Sequence, residues 1–240
     1  MTTIVEKIPY KEKLLNHKTQ LLDHLFKFSP RRPFTFADLG GVWGVEGAYS
    51  LYAMDEHKCV AGYLVDTHPT EKVLDYVEQT PGLNFIQGNF GEIETIAQVP
   101  QVDCIFLFDV LLHQVNPNWD TVLRRYAEKT DCFVIYNQQW LGSPVTTRLL
   151  ELGHDDYFAN TPHDPEHPVY QNLFDKLDTK HPDYENRNWR DVHHIWQWGI
   201  TNAELAAVMT DLGYTKTYFA DYGPFGNLKT FVNHAFIWRR

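Results

Sequence analysis

Residues 36–44 have the sequence Phe-Ala-Asp-Leu-Gly-Gly-Val-Trp-Gly. An apolar run that closes on glycines is typical of a strand that enters a tight turn and then a helix. Glycine lets the backbone approach a ligand closely, and the N–H groups at the start of a helix attract a carboxylate or phosphate. Asp38 precedes the first glycine by two positions, where its charge would repel a pyrophosphate but suits an ammonium group. The stretch therefore predicts a ligand-binding turn.

A second carboxylate follows the next apolar run. Residues 59–65 are typical of a strand, and they are followed by Asp66, 22 positions after Gly44. This spacing is close to the offset of about 20 residues at which a carboxylate binds the hydroxyls of a ribose. The two features together predict a nucleoside site. The alternative is that Gly40 and Gly41 simply form the turn and that Asp66 caps a helix.

The rest of the chain alternates strands and helices as a parallel α/β sheet does. Predicted helices cover residues 10–28, 45–55, 69–79, 118–129 and 203–212, and predicted strands cover 34–39, 59–65, 83–87, 102–108, 132–136, 215–221 and 231–238. A turn rich in glycine and proline joins the last two strands, which is typical of a hairpin. The prediction is a Rossmann-like, doubly wound sheet of seven mostly parallel strands, with an antiparallel C-terminal hairpin and helices on both faces.

A length of 240 residues suits a single domain over residues 1–240. Residues 1–30 are predicted to form a helical cap. Residues 141–198 interrupt the alternation with a helix near 144–152, followed by a stretch rich in histidine, aromatic residues and proline. We interpret this segment as an insertion that acts as a lid over a bound molecule.

The composition disfavours several classes of partner. The net charge is −10, with Asp+Glu 31 against Lys+Arg 21, and no basic run is present, so nucleic acid is a disfavoured partner.

The three cysteines lie in apolar runs and suit small buried side chains in a reducing compartment. No apolar stretch reaches the roughly 18 residues of a membrane span. The sequence predicts a cytoplasmic protein without a membrane partner, and a homo-oligomer is compatible with it.

At residues 36–44 the chain resembles the class I S-adenosylmethionine-dependent methyltransferases, whose first motif is an acidic residue, a spacer and then spaced glycines. The resemblance extends from about residue 34 to the C-terminus. It implies S-adenosylmethionine as the cofactor and methyl transfer to oxygen or nitrogen of a small-molecule acceptor. The implied cofactor-binding residues are Asp38, Gly40, Gly41 and Gly44 at the methionine end, Asp66 at the ribose, Asn89 and Phe90 toward the adenine, and Asp109 at the end of the fourth strand.

The chain departs from the family pattern at two positions. Val42 stands where the family often has its second glycine, and Asn89 replaces the commoner aspartate. These departures keep open a second hypothesis, a non-catalytic binding or scaffold protein with a degenerate cofactor site. A third hypothesis, a nicotinamide-dependent enzyme, is disfavoured by Asp38, by the C-terminal hairpin and by the missing G-x-G-x-x-G pattern.

Methyl transfer from a sulfonium is an in-line displacement, so the protein mainly positions the acceptor and excludes water. For a hydroxyl acceptor, a histidine is a natural proton acceptor, and His113 after the fourth strand is the first candidate. The alternative is a histidine that bonds a backbone carbonyl at a helix start. Asn137 after the fifth strand and His194 in the insertion are further candidates. No H-E-x-x-H or paired C-x-x-C motif is present, and no metal is predicted.

Overall fold

The computed structural model describes residues 10–29, 33–192 and 194–240, so parts of the predicted cap, residues 1–9 and 30, lie outside the described residues. The strands are β1 (Thr35–Leu39), β2 (Ala61–Asp66), β3 (Leu83–Gln87), β4 (Cys104–Phe108), β5 (Cys132–Trp140), β6 (Thr147–Arg148), β7 (Lys180–His181), β8 (Tyr184–Asn188), β9 (Trp198–Gly199), β10 (Thr215–Pro224) and β11 (Phe231–Arg239). The helices are α1 (Asn16–Lys27), α2 (Ala48–Asp55), α3 (Glu71–Gln79), α4 (Ile93–Gln98), α5 (Trp119–Tyr126), α6 (His154–Ala159), α7 (Leu173–Lys176) and α8 (Asn202–Asp211).

Seven of the strands form one sheet in the order β10-β11-β5-β4-β1-β2-β3. Strand β1 is parallel to both β2 and β4, β2 is parallel to β3, and β10 and β11 are antiparallel. The predicted seven-stranded, mostly parallel sheet with a C-terminal hairpin is confirmed. The strand order reverses between β1 and β4, and ligands of open α/β sheets bind at the carboxyl ends of the strands beside such a reversal.

The chain divides into two compact units. The N-terminal unit comprises the residues up to Phe108 together with Glu128–Val134, and the C-terminal unit comprises Asp109–Ala127 and Ile135–Arg240. The single domain over residues 1–240 stays a prediction.

In the N-terminal unit, the Phe36 ring packs between another aromatic ring and a glycine. The ring of Phe36 in β1 stacks on Phe106 in β4 at 4.8 Å between centroids. A Cβ atom at Gly62 in β2 would lie 2.4 Å from the Phe36 ring, so this strand position accommodates the ring because it carries no side chain. All three cysteines are buried, as predicted, and the Sγ atoms of Cys104 and Cys132 lie 3.4 Å apart.

The C-terminal unit contains a hydrophobic cluster of its own, and residues 141–198 contribute most of its members. Its buried side chains are Leu112, Trp140, Leu149, Leu150, Tyr157, Leu173, Leu177, Val192, Ile195, Trp196 and Phe231. The insertion is therefore a packed structure. Among the described residues no helix is long and apolar enough to cross a membrane.

The secondary structure predicted from the sequence is wrong at residues 144–152, at 137–140 and at 45–47. Residues 144–152 do not form a helix, because β6 pairs with the distant β9 and a 3-10 turn follows at Leu149–Leu152. Strand β5 continues to Trp140, so Asn137 lies inside the strand and not in a loop after it. The first crossover helix begins at Ala48 and not at residue 45, since Gly44 and Gly47 both adopt positive φ angles.

Candidate active site

Asp38 is the most buried acid of the predicted cofactor site, with 1% of its surface exposed near the end of β1. The Ser50 hydroxyl donates to its Oδ2 atom at 2.8 Å. Among the described residues, the Oδ1 atom has no hydrogen-bond partner. A buried polar atom without a partner is costly, so this oxygen is suited to accept from a donor on a bound molecule.

Gly41 lies directly against the Asp38 carboxyl group. A Cβ atom at this position would be 2.5 Å from Asp38 Oδ2 and 2.6 Å from its Cγ. No side chain fits there without displacing the carboxyl group. The turn and the acid therefore form one packed unit, and the sequence motif has a steric basis.

Burial raises the pKa of Asp38 to about 6. The Ser50 hydrogen bond and the positive charge of Lys18 act in the opposite direction, whereas the nearby Asp66 carboxylate adds to the increase. The carboxyl group is consequently charged at neutral pH and loses its charge in mildly acidic solution.

This pKa predicts a pH-dependent stability of the ligand-free protein. Because the folded state binds the Asp38 proton more tightly than the unfolded state, the free energy of unfolding falls as pH rises from about 4 to about 6. Asp38→Asn removes this contribution. We expect the variant to match the wild type near pH 4 and to exceed it by about 3 kcal/mol at pH 7. Urea unfolding of both proteins at each pH measures the difference, and a variant less stable than wild type at pH 7 contradicts it.

The turn after β1 depends on left-handed backbone geometry. Gly40 has a φ of 75° and donates from its N–H to the Val65 carbonyl at 2.8 Å. Gly44 has a φ of 73° with open space around its Cα. Val42, where the family often has glycine, is buried with Leu64 and is part of a small apolar cluster. Its side chain therefore has a packing role beneath the turn.

Asp66 connects the turn after β2 to the turn after β1. Its Oδ2 atom accepts from the Val42 N–H at 3.0 Å, and its Oδ1 atom accepts from the Thr67 N–H at 2.7 Å. The side chain remains partly exposed at the carboxyl end of β2. Oδ1 also lies 3.4 Å from the Thr67 hydroxyl and from the His68 N–H, whereas Oδ2 accepts from Val42 and has a second lone pair with which it can accept from a ribose hydroxyl.

Asn89 and Phe90 form the turn after β3. The Asn89 Oδ1 atom accepts from the Gly91 N–H at 2.9 Å, and Phe90 is buried. The Gly88 N–H donates to the Asp66 carbonyl at 2.9 Å, which fixes this turn beside the end of β2. Within the N-terminal unit, the predicted cofactor residues thus lie at or just after the carboxyl ends of three adjacent strands.

Asp109, the remaining predicted cofactor residue, belongs to the C-terminal unit. It has a φ of 58°, an uncommon conformation for a residue with a side chain. Its N–H donates to the Tyr136 carbonyl at 2.8 Å, and its Oδ1 atom accepts from Gln138 Nε2 at 2.7 Å. The β5 residue Gln138 therefore orients this carboxylate.

His113 lies in a 3-10 turn after β4, and its Nδ1 atom is 3.2 Å from the Ile195 carbonyl oxygen. A carbonyl can only accept, so Nδ1 carries the proton and Nε2 carries the lone pair of the neutral ring. This geometry agrees with the alternative of a histidine bonded to a backbone carbonyl. It also gives the ring the tautomer that a proton acceptor requires.

The C-terminal unit brings His113 and His194 close to a third histidine, His163. The backbone N–H of Trp196 donates to His163 Nε2 at 3.3 Å, and the His163 ring stacks on Tyr170 at 4.2 Å. Burial, and then the two neighbouring histidines, lower the pKa of His163 to about 3. His163 is therefore neutral at physiological pH.

Asn137 is fully buried within β5, where its Nδ2 atom donates to the Gln138 carbonyl at 2.8 Å. Its Oδ1 atom has no partner among the residues that the structure describes.

Sequence reasoning did not identify Ser50 or Lys18 as parts of the Asp38 environment. Both lie on predicted helices, where neither residue type carries a distinctive signal.

The fold is similar to solved methyltransferase structures. A 1,6-didemethyltoxoflavin-N1-methyltransferase from Burkholderia thailandensis, solved with 1,6-didemethyltoxoflavin and S-adenosylhomocysteine, is 14% identical, with a TM-score of 0.56 over 92% of this chain and 75% of its own. A SAM-dependent methyltransferase from Methanosarcina mazei is 12% identical, with a TM-score of 0.56 over 91% of this chain and 96% of its own. The mitomycin 7-O-methyltransferase is 13% identical, with a TM-score of 0.53 over 93% of this chain and 54% of its own.

The chain thus has the fold of the class I S-adenosylmethionine-dependent methyltransferases, as its first turn predicted. It spans about half the length of the mitomycin enzyme. No protein-family model matches the sequence, and no curated protein matches it.

Proposed function

We propose that the chain is an S-adenosylmethionine-dependent methyltransferase that acts on a small-molecule acceptor, at oxygen or nitrogen. The observation that carries this proposal is the Asp38 carboxyl group, which is buried, closely packed on Gly41, and has one oxygen without a partner among the described residues. A buried acceptor of this kind beside the β1/β4 reversal fits the ammonium group of the cofactor's amino-acid end.

The other residues of the N-terminal unit are assigned by their positions on the sheet edge. Asp66 accepts from the ribose hydroxyls, and the turn of Asn89 and Phe90 supports the adenine ring. Gly40 and Gly44 allow the backbone to pass close to the ligand. When bound, S-adenosylmethionine supplies an electrophilic methyl group.

In the C-terminal unit, His113 is proposed as the proton acceptor. Its Nδ1–H bond to Ile195 fixes the ring so that Nε2 receives the proton of an acceptor hydroxyl or amine. His194 and Asn137 are proposed to orient the acceptor, and Asp109 to help bind the cofactor. The structurally similar proteins named above include an N1-methyltransferase and a 7-O-methyltransferase, so this fold supports transfer to both elements.

The aromatic and histidine-rich residues 141–198 are proposed to enclose the acceptor. The net charge of −10 supports an acceptor that is not a polyanion and disfavours nucleic acid as a partner. A single domain and a cytoplasmic location complete the proposal.

Thermal unfolding with added ligand tests the cofactor assignment. A ligand that binds the folded state at about a hundredfold above its Kd stabilises that state by about 2.7 kcal/mol. We expect S-adenosylmethionine and S-adenosylhomocysteine each to raise the midpoint by several degrees. NAD, which shares the adenosine but carries a pyrophosphate, serves as the control and is expected to leave the midpoint unchanged.

The second candidate function is a non-catalytic binding protein with a degenerate cofactor site. The observation that favours it is at Asn89, whose Oδ1 atom is already bonded to the Gly91 N–H. The same unfolding experiment separates the two functions. If millimolar S-adenosylmethionine and S-adenosylhomocysteine both leave the midpoint unchanged, the non-catalytic function is the better one.

A further inference from the structure

Lys18 on α1 is almost completely buried, with 3% of its surface exposed. Lysine is rarely buried to this extent, because removing its charge from water is costly unless other groups stabilise it. Two aromatic rings lie next to the ammonium group. Its Nζ atom is 5.1 Å from the Tyr49 ring centroid and 5.8 Å from the Phe108 ring centroid, distances typical of cation–π interactions.

The residues around Lys18 place its charge at the β1/β4 reversal. Phe108 is the last residue of β4, and Tyr49 lies in the first turn of α2, just beyond the glycine turn. The two rings also contact each other, with their centroids 5.1 Å apart. The Lys18 charge acts on Asp38 near the end of β1. A buried cation and a buried carboxylate therefore lie together at the sheet edge of the N-terminal unit.

A free amino-acid group carries an ammonium and a carboxylate on the same carbon atom. A site that holds such a group in a buried place needs a partner of opposite charge for each of them, since an unpaired buried charge is strongly unfavourable. Asp38 supplies the negative partner. Lys18 is the buried positive group beside it.

We propose that Lys18 binds the α-carboxylate of the cofactor's amino-acid end, next to the α-ammonium held by Asp38. This inference rests on the proposed function. It makes helix α1 part of the cofactor site, with Tyr49 and Phe108 holding the lysine side chain in place. Because of Lys18, the site then prefers a ligand that carries both the α-ammonium and the α-carboxylate.

The test compares two ligands that differ by a single group. Decarboxylated S-adenosylmethionine retains the nucleoside, the sulfonium and the ammonium, but lacks the α-carboxylate. Dissociation constants for both ligands are measured by calorimetry at pH 8, where Asp38 is ionised, for the wild type and for Lys18→Met. The unbranched methionine side chain retains most of the lysine's apolar stem.

We expect the wild type to bind S-adenosylmethionine about 10- to 100-fold more tightly than the decarboxylated ligand, because a charge-assisted hydrogen bond is lost. In Lys18→Met this preference is expected to fall to about one. The ratio of the two dissociation constants is compared, because an effect of the substitution on folding or on Asp38 changes the binding of both ligands equally and leaves the ratio unchanged. Lys18→Gln, which is polar but uncharged, is expected to lose the preference as well, and Lys18→Arg to retain it.

A wild type that binds both ligands equally overturns the inference without any variant. A preference that survives in both Lys18→Met and Lys18→Gln also overturns it and leaves the proposed function in place. If the wild type binds neither ligand, both the inference and the proposed function fail, so the two failures are distinguishable.

Discussion

Asp38→Asn is expected to weaken the binding of S-adenosylhomocysteine by at least about 100-fold, the largest loss for a single side chain of the proposed cofactor site. The variant has nearly the same shape but replaces a charged acceptor by a neutral amide, and the ligand's ammonium group would then be buried without a counter-charge. The amide also offers a donor where the ligand itself donates. Calorimetric titration at pH 8 measures the loss.

Asp75→Asn on α3 is the matched control, because Asp75 is exposed and belongs to the same unit. It removes the same charge without touching the turn, and we expect its dissociation constant to stay within about twofold of wild type. Equal losses in the two variants would show that net charge and not the Asp38 site governs binding. Unchanged binding in Asp38→Asn would contradict the assignment of the ammonium site.

Gly41→Ala is expected to reduce cofactor binding nearly as strongly, by about 30- to 100-fold, and to destabilise the ligand-free fold by about 1–3 kcal/mol. The added Cβ would lie 2.5 Å from Asp38 Oδ2, so either the carboxyl group or the turn must move. A displaced carboxyl group no longer receives the ligand's ammonium. Calorimetry gives the binding loss and urea unfolding gives the loss of stability.

Gly44→Ala separates steric from conformational effects in the same turn. Gly44 has a φ of 73°, and a Cβ atom added there would meet no atom within 4 Å, so alanine has only the cost of the left-handed backbone. We expect a stability loss of about 1 kcal/mol and a change in affinity well below that of Gly41→Ala. A larger binding defect in Gly44→Ala than in Gly41→Ala would refute the steric explanation.

The sequence predicted the sheet and its first turn well because both are encoded over short distances. Apolar runs of five or six residues mark β1 to β4, and the spacing of Asp38 and Gly40 marks the turn. The continuation of β5 was not predictable from its polar residues. The Trp140 N–H bonds the Ile200 carbonyl and the Leu141 N–H bonds the Thr230 carbonyl, so the partners that extend the segment lie far along the chain.

Some residues of the candidate site can also be predicted from local sequence patterns, whereas others depend on distant parts of the chain. Asp38, Gly41 and Asp66 belong to a motif that can be identified from the sequence, whereas Lys18 resembles any other charged residue on an amphipathic helix until packing places it beside Tyr49. His163 is likewise one of many histidines in the insertion, and only the tertiary structure places it against Trp196. Long-range packing therefore supplies the part of the site that local patterns do not.

The close packing of Gly41 on Asp38 also constrains how this turn can change during evolution. A side chain at position 41 collides with the carboxyl group, so the glycine is required for as long as the acid is present. Once a lineage loses the acid, position 41 becomes free to accept alanine or serine. The two positions should therefore change together among descendants of a common ancestor.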